Sequence, residues 1–256
     1  MKLIVCGKGG SGKSTLIALL ARHYAGLGRQ VLVVDTDESN AGLHRLLGTG
    51  APKDLLGFFG GKRKMMEGFR DARQNKASPD SPPVSCSWTI DTIPREYVSG
   101  TNGVQLVAIG KIHEAGEGCA CPMGVLAKQF LSGLTLNPND IVLIDTEAGI
   151  EHFGRGIDKV CNAIVMVIDP SYESIHLAGM VSGMAGTIDV PLFYVLNKTD
   201  AETSLTVRNA IPDTDRIIGE FMQNPALLAA GLEGRELPAG YPAVSEVVEN
   251  IRARVG

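Results

Sequence analysis

Runs of consecutive apolar residues recur at Leu3–Cys6, Val31–Asp35, Val104–Ile109, Ile141–Asp145, Ala163–Asp169 and Leu192–Asn197. None alternates strictly with polar positions, as a strand with one wet face would. Each therefore predicts a strand buried on both sides. Helical spacing occupies most of the intervals. Leu16–Leu27 is one such stretch, ending near Gly28, and Val244–Val255 is the last. Continuous apolar strands joined by helices predict an α/β fold: a mostly parallel sheet with helices on both faces. Ligands of such folds sit outside the carboxyl ends of the strands. Gly7 follows the first strand, Asp35 ends the second and Asp145 ends a later one.

Residues 57–103 break the pattern. They hold the cluster Lys62-Arg63-Lys64, then Ser78-Pro79-Asp80-Ser81-Pro82-Pro83. This stretch reads as an insertion or long surface connection, partly mobile, within a single domain spanning 1–256. The basic cluster reads as a solvated face.

Composition narrows the function. With 44% hydrophobic and 20% charged residues in 256, wholesale disorder is excluded. Lys+Arg total 24 and Asp+Glu 28, a net charge of -4, which argues against a nucleic-acid coat; 5% aromatics offer few base-stacking platforms. No apolar run reaches the ~20 residues of a bilayer span. The helix 244–255 carries Glu246 and Glu249 beside Arg252 and Arg254, too little basic charge for a membrane-surface helix. The start, Met1-Lys2-Leu3-Ile4-Val5-Cys6, lacks an export h-region. Five cysteines, an odd number, then fit thiols kept reduced in the cytoplasm and available to metal.

Gly7-Lys8-Gly9-Gly10-Ser11-Gly12-Lys13-Ser14 fits G-x-x-x-x-G-K-[ST] between a predicted strand and a predicted helix. Glycines let the backbone curl so that successive N–H groups point at phosphate oxygens, and the helix adds its positive end. Lys13 is placed to reach the β and γ phosphates, and the Ser14 hydroxyl to bind Mg²⁺. Asp35-Thr36-Asp37 sets two carboxylates at a strand end, where they also suit a helix cap. Asp145, in Leu143-Ile144-Asp145-Thr146-Glu147-Ala148-Gly149, is a candidate to hold Mg²⁺ through water, since a hard cation prefers oxygen.

Cys119-Ala120-Cys121-Pro122 places two thiols two residues apart ahead of a helix, a position that favours thiolate. Two thiolates are half of a tetrahedral site, and a two-fold dimer would supply the pair twice. Zn²⁺, Ni²⁺ or an iron–sulfur centre suits such donors; two unrelated or redox-paired thiols are the plainer reading. Cys6 and Cys161 read as structural, and Cys86 is undetermined.

Lys8 before the glycines makes the loop resemble the deviant Walker A ATPases, the MinD, ParA and nitrogenase iron-protein group. The resemblance implies ATP held with Mg²⁺ by Gly9, Gly10, Ser11, Gly12, Lys13, Ser14 and Thr15, and a homodimer in which Lys8 touches the nucleotide of the facing subunit. It further implies that Asp37 polarises the attacking water and that Asp35 helps organise the metal shell. In that group an Asn at the position of Asn197 reads adenine. Asn197-Lys198-Thr199-Asp200 also fits Asn-Lys-x-Asp, the guanine signature of GTPases, so both nucleotides stay open, with the loop type favouring ATP.

Within that group the sequence resembles the CooC-type nickel-insertion ATPases that mature carbon monoxide dehydrogenase. The likeness rests on residues 8–14, Asp35-Thr36-Asp37, Cys119-Ala120-Cys121-Pro122 and Glu147–Gly156. It implies a cytoplasmic homodimeric metallochaperone that hydrolyses ATP, with Ni²⁺ (or Zn²⁺) on Cys119 and Cys121 and carbon monoxide dehydrogenase apoprotein as its client. Nucleic acid and membrane are not implied. Residues 57–103 and Asp200 depart from the pattern. His152, beside Glu151, could be a metal ligand or a hydrogen-bond relay from the second switch to the cysteine loop, though a lone His is more often structural. The alternatives are an iron–sulfur carrier of the nitrogenase iron-protein kind and a positioning ATPase without metal.

Overall fold

The computed structural model describes residues 1–40, 42–74, 87–111, 121–148, 156–238 and 240–255. Its eight strands are β1 (Lys2–Gly7), β2 (Gln30–Asp35), β3 (Ser99–Thr101), β4 (Val104–Ala108), β5 (Asp140–Asp145), β6 (Ala163–Ile168), β7 (Leu192–Thr199) and β8 (Ile217–Met222). They form one sheet in the order β3-β4-β2-β5-β1-β6-β7-β8. Every pairing is parallel except β3 with β4. This is the mostly parallel α/β sheet that the apolar runs predict.

Strand side chains alternate between two cores. Leu3 and Val5 of β1, with Val31 and Val33 of β2, face α1 (Lys13–Gly26). The short α2 (Leu43–Leu46) lies in that same layer. Ile4, Cys6, Leu32 and Val34 face the other way. The second layer contains α3 (Leu55–Phe58), α4 (Gly61–Gln74), α5 (Cys121–Gly133) and α6 (Tyr172–Ile188). The remaining helices are α7 (Ala201–Ala210), α8 (Pro225–Glu233) and α9 (Pro242–Val255). Val244, Val247, Val248 and Ile251 of α9 close the first core beside α1. A strand covered on both faces needs apolar side chains at successive positions, which explains the unbroken runs.

Two strands escape the apolar pattern. β8 reads Ile-Ile-Gly-Glu-Phe-Met, and Gly219 interrupts it because a Cβ there would collide with Val247 of α9. β3 has three residues and its pairing is antiparallel. Within residues 57–103, the described parts, 57–74 and 87–103, pack against the sheet. Met65 of α4, Ile90 and Ile93 belong to the second core, and β3 adds an edge to the sheet. Phe58, Phe59, Trp88 and Tyr97 form a mostly edge-to-face aromatic group, and Trp88 reaches Phe130 of α5 at 5.9 Å. Ser78–Pro83 and Cys86 lie outside the described residues.

Because β1, β2, β4, β5, β6 and β7 run parallel, their carboxyl ends share one edge. Val5 and Asp35 both stand opposite Asp145, and Gly7 stands opposite Val167.

Candidate functional site

The phosphate loop leaves that edge between β1 and α1. Gly7, Gly10 and Gly12 have φ of 142°, 77° and 102°, which side chains disfavour. A Cβ on Gly7 would lie 2.5 Å from the Val167 carbonyl oxygen, and one on Gly12 would strike the Asn197 amide. Ser11 N–H donates to the Lys8 carbonyl at 3.1 Å, closing the turn. Lys13 opens α1 and donates to the same carbonyl at 3.3 Å, so its ammonium lies folded over the loop. The buried Ser11 hydroxyl has no hydrogen-bond partner among the described residues.

The end of β7 braces the loop from the side. Asn197 Nδ2 donates to the Ser11 carbonyl and Lys198 Nζ to the Gly10 carbonyl, both at 2.7 Å. Lys198 adopts φ 59° to do so. Asp200 is spent elsewhere. It caps α7, accepting from Glu202 N–H, Thr203 N–H and the Thr203 hydroxyl. These bonds hold its carboxyl below the usual carboxylate range.

Asp145 ends β5 with its carboxylate fully buried. Its Oδ2 accepts from the Ser14 hydroxyl at 2.7 Å and from Asn40 Nδ2 at 3.3 Å. Asn40 Nδ2 also donates to Ser14 Oγ at 2.8 Å, so one amide nitrogen bridges the two oxygens expected to serve Mg²⁺. Asp145 Oδ1 is buried without a hydrogen-bond partner among the described residues. Burial pushes the Asp145 pKa up to about 6 against the pull of Ser14 and Lys13. A buried carboxylate with an unsatisfied oxygen, next to a hydroxyl, fits a hard divalent cation.

Asp35, expected to help organise the metal shell, pairs with a lysine. Lys111, three residues past β4, donates from Nζ to Asp35 Oδ2 at 2.6 Å and to the Asp37 carbonyl at 2.5 Å. Asp35 Oδ1 accepts from Asp37 N–H at 3.1 Å, so both its oxygens are engaged. Burial pushes its pKa up to about 7, with Lys111 opposing. The Asp37 side chain accepts from Ser39 N–H and hydroxyl at 2.9 and 2.7 Å. Lys8 pairs with Asp169, just beyond β6, at 3.3 Å.

The structure thus gathers Lys8, the loop 9–15, Asp35, Asp37, Asp145 and Asn197 at one edge. It adds Asn40, Lys111 and Asp169, none of which the motifs flag, and gives Lys198 of the Asn-Lys-x-Asp stretch a bracing bond to the loop. Cys119, Gly149, Glu151 and His152 lie outside the described residues, and Cys121 is placed only as the first residue of α5. Among the described residues no group of three or more His, Cys, Asp or Glu could hold a metal ion. No helix among them is long and apolar enough to cross a membrane.

A parallel sheet with a strand–glycine loop–helix unit at its carboxyl edge defines a P-loop ATPase. The chain belongs to the CobQ/CobB/MinD/ParA nucleotide binding domain family, whose model matches residues 2–237. It is 41% identical over 249 residues to an uncharacterized ATP-binding protein of Methanocaldococcus jannaschii, covering 97% of this chain and 98% of that one. It is 30% identical over 235 residues to the carbon monoxide dehydrogenase accessory protein CooC of Rhodospirillum rubrum, covering 91% and 88%. Among solved structures, the septum site-determining protein MinD of Pyrococcus horikoshii, complexed with Mg-ADP, superimposes with a TM-score of 0.64 at 17% identity, over 98% of this chain and 94% of that one. That likeness concerns the fold alone.

Proposed function

We propose that this ATPase is a homodimeric metallochaperone, in which ATP brings two Cys119/Cys121 pairs together to hold Ni²⁺ for delivery to carbon monoxide dehydrogenase. The observation that carries this reading is the Cys-x-Cys-Pro stretch at the head of α5 in a chain 30% identical to CooC. Placement supports it. β4 and β5 flank β2, and β4 runs parallel to β2, so the chain leaves β4 at the same edge as the phosphate loop before the segment that carries Cys119 and α5, which Cys121 opens.

In this reading Gly9–Thr15 cradle the phosphates of ATP, Ser14 and Asp145 hold Mg²⁺, and Asp37 positions the attacking water. General-base strength is not needed, because positioning carries most of the benefit in a loose transition state. Lys8 leaves Asp169 to reach the nucleotide of the facing subunit, and Asn197 turns from the loop toward adenine. The cargo ion is taken as Ni²⁺, with Zn²⁺ as a thiophilic competitor. A place in the cytoplasm goes with reduced thiols.

Coupling between nucleotide and metal is reciprocal: if ATP tightens Ni²⁺ binding, Ni²⁺ tightens ATP binding by the same factor. Titrating Ni²⁺ with and without a non-hydrolysable ATP analogue tests the reading. A lower Kd with the analogue, abolished by Cys119→Ala together with Cys121→Ala while nucleotide binding persists, supports it. Equal affinities, or binding indifferent to both cysteines, remove it; no Ni²⁺ binding at all leaves a metal-free positioning ATPase.

A further inference from the structure

We propose that Lys111 is a positioning residue for ATP hydrolysis, holding the Asp35–Asp37 turn in the shape from which Asp37 addresses the attacking water. This rests on the reading of Asp37 given above.

The geometry is specific to the task. Lys111 bridges a side-chain oxygen of Asp35 and a main-chain oxygen of Asp37 with one ammonium, at 2.6 and 2.5 Å. It therefore grips the turn at both ends. Its own backbone is fixed, since Lys111 N–H donates to Asp54 Oδ2 at 3.1 Å and Ile109 N–H donates to the Asp35 carbonyl at 3.0 Å. The side chain is mostly buried, at 16% exposure, and Asp35 at 5%, so water competes little for the pair.

Packing alone does not hold the turn. A cavity of about 290 Å³ lies behind it, bordered by Asp35, Glu38, His44, Pro52, Leu106 and Lys111. Thr36 anchors the start of the turn through its N–H and hydroxyl to the Asp145 carbonyl, at 2.9 and 2.6 Å; beyond it, with room on the cavity side, the charge-assisted bridge from Lys111 fixes the Asp37 carbonyl. A displacement near 1 Å in a group that orients the nucleophile is costly in rate, of order a hundredfold, without any loss of ground-state binding. A residue that merely neutralised Asp35 would have no use for the second bond to the Asp37 carbonyl.

The test compares Lys111→Met and Lys111→Arg in steady-state ATP hydrolysis by the full chain. Lys111→Met is expected to lower kcat by about tenfold or more while KM and the Kd for ATP stay within about twofold. Lys111→Arg, whose fork also spans two acceptors, is expected to recover most of the rate. Unchanged kcat in Lys111→Met, or kcat and nucleotide binding lost in parallel, overturns the proposal. If Lys111→Met fails to fold because Asp35 is left buried and uncompensated, Asp35→Asn with Lys111→Met removes that charge. This double variant is expected to fold, bind ATP and remain slow; wild-type turnover in it overturns the proposal. The reading of Asp37 fails separately: an Asp37→Ala protein that turns over normally removes it, whereas a fast Lys111→Met beside an inactive Asp37→Ala removes only the role of Lys111.

Discussion

Lys8 and Asp169 close the phosphate loop against the end of β6, ammonium to carboxylate at 3.3 Å. Lys8 is the lysine that sets this loop apart from an ordinary G-x-x-x-x-G-K-[ST], and within one chain it already has a counter-ion. A lysine that serves the facing subunit must first leave that ion.

Removing the counter-ion is therefore expected to favour the dimer. An ion pair at this degree of exposure contributes ~0.7 kcal/mol, and a two-fold dimer releases two of them. Asp169→Asn is expected to lower the midpoint concentration of ATP-analogue-dependent dimerisation by up to about tenfold. Lys8→Ala is expected to bind nucleotide and fail to hydrolyse it. Sedimentation over a concentration series reads the first, and phosphate release the second.

Gly12 is an exacting position of the loop. Its φ of 102° is unfavourable to any side chain, and a Cβ would meet the Asn197 amide. ATP holds the loop in this shape, so Gly12→Ala adds strain of about 1–3 kcal/mol to the bound state, or roughly 5- to 150-fold weaker ATP binding. Calorimetric titration checks it, and wild-type affinity would mean that the loop relaxes freely.

The buried carboxylates give a pH signature. Burial raises Asp145 to about 6 and Asp35 to about 7. A carboxyl with a higher pKa folded than unfolded takes up a proton on folding. Its contribution to stability is full below the unfolded value near 4 and is lost as pH rises through the folded value. These two groups therefore make the protein without nucleotide less heat-stable at pH 7.5 than at pH 5. In the proposed site Mg²⁺ needs Asp145 ionised, so Mg·ATP binding is expected to release protons at pH 6 and fewer as pH rises toward 8. Titrations in two buffers of different ionisation enthalpy measure this; no release at pH 6 would place Asp145 outside the metal site.

Asp200 is engaged in a helix cap, which argues against a part in reading the base. Its carboxylate is taken up by the cap of α7. Asp200→Ala is expected to lower the melting temperature slightly and to leave the ATP-to-GTP preference unchanged. A shift of preference toward ATP would restore the guanine reading of Asn197-Lys198-Thr199-Asp200.

What the chain discloses on its own divides along a physical line. Consecutive apolar residues and the glycine loop carry local signals, so six strands, α1 and the association of Ser14 with Asp145 are legible in the residues alone. β8 hides because Gly219 and Glu220 interrupt its apolar run, the glycine being demanded by Val247 some 28 positions away. Asn40, Lys111 and Asp169 act through contacts across 105, 76 and 161 positions, and no local pattern announces them. Only the fold makes an asparagine bridge Ser14 to Asp145, or sets a lysine after β4 against the end of β2.

The central proposal is that nucleotide-driven pairing creates a shared thiolate site. Its most direct test is the nickel content and mass of anaerobically purified protein, loaded with Ni²⁺ and a non-hydrolysable ATP analogue, then desalted. The expected result is one Ni²⁺ per two chains in a species of twice the chain mass, lost when Cys119 and Cys121 are both replaced by Ala. A species of single-chain mass that retains no Ni²⁺ with the analogue bound would contradict it.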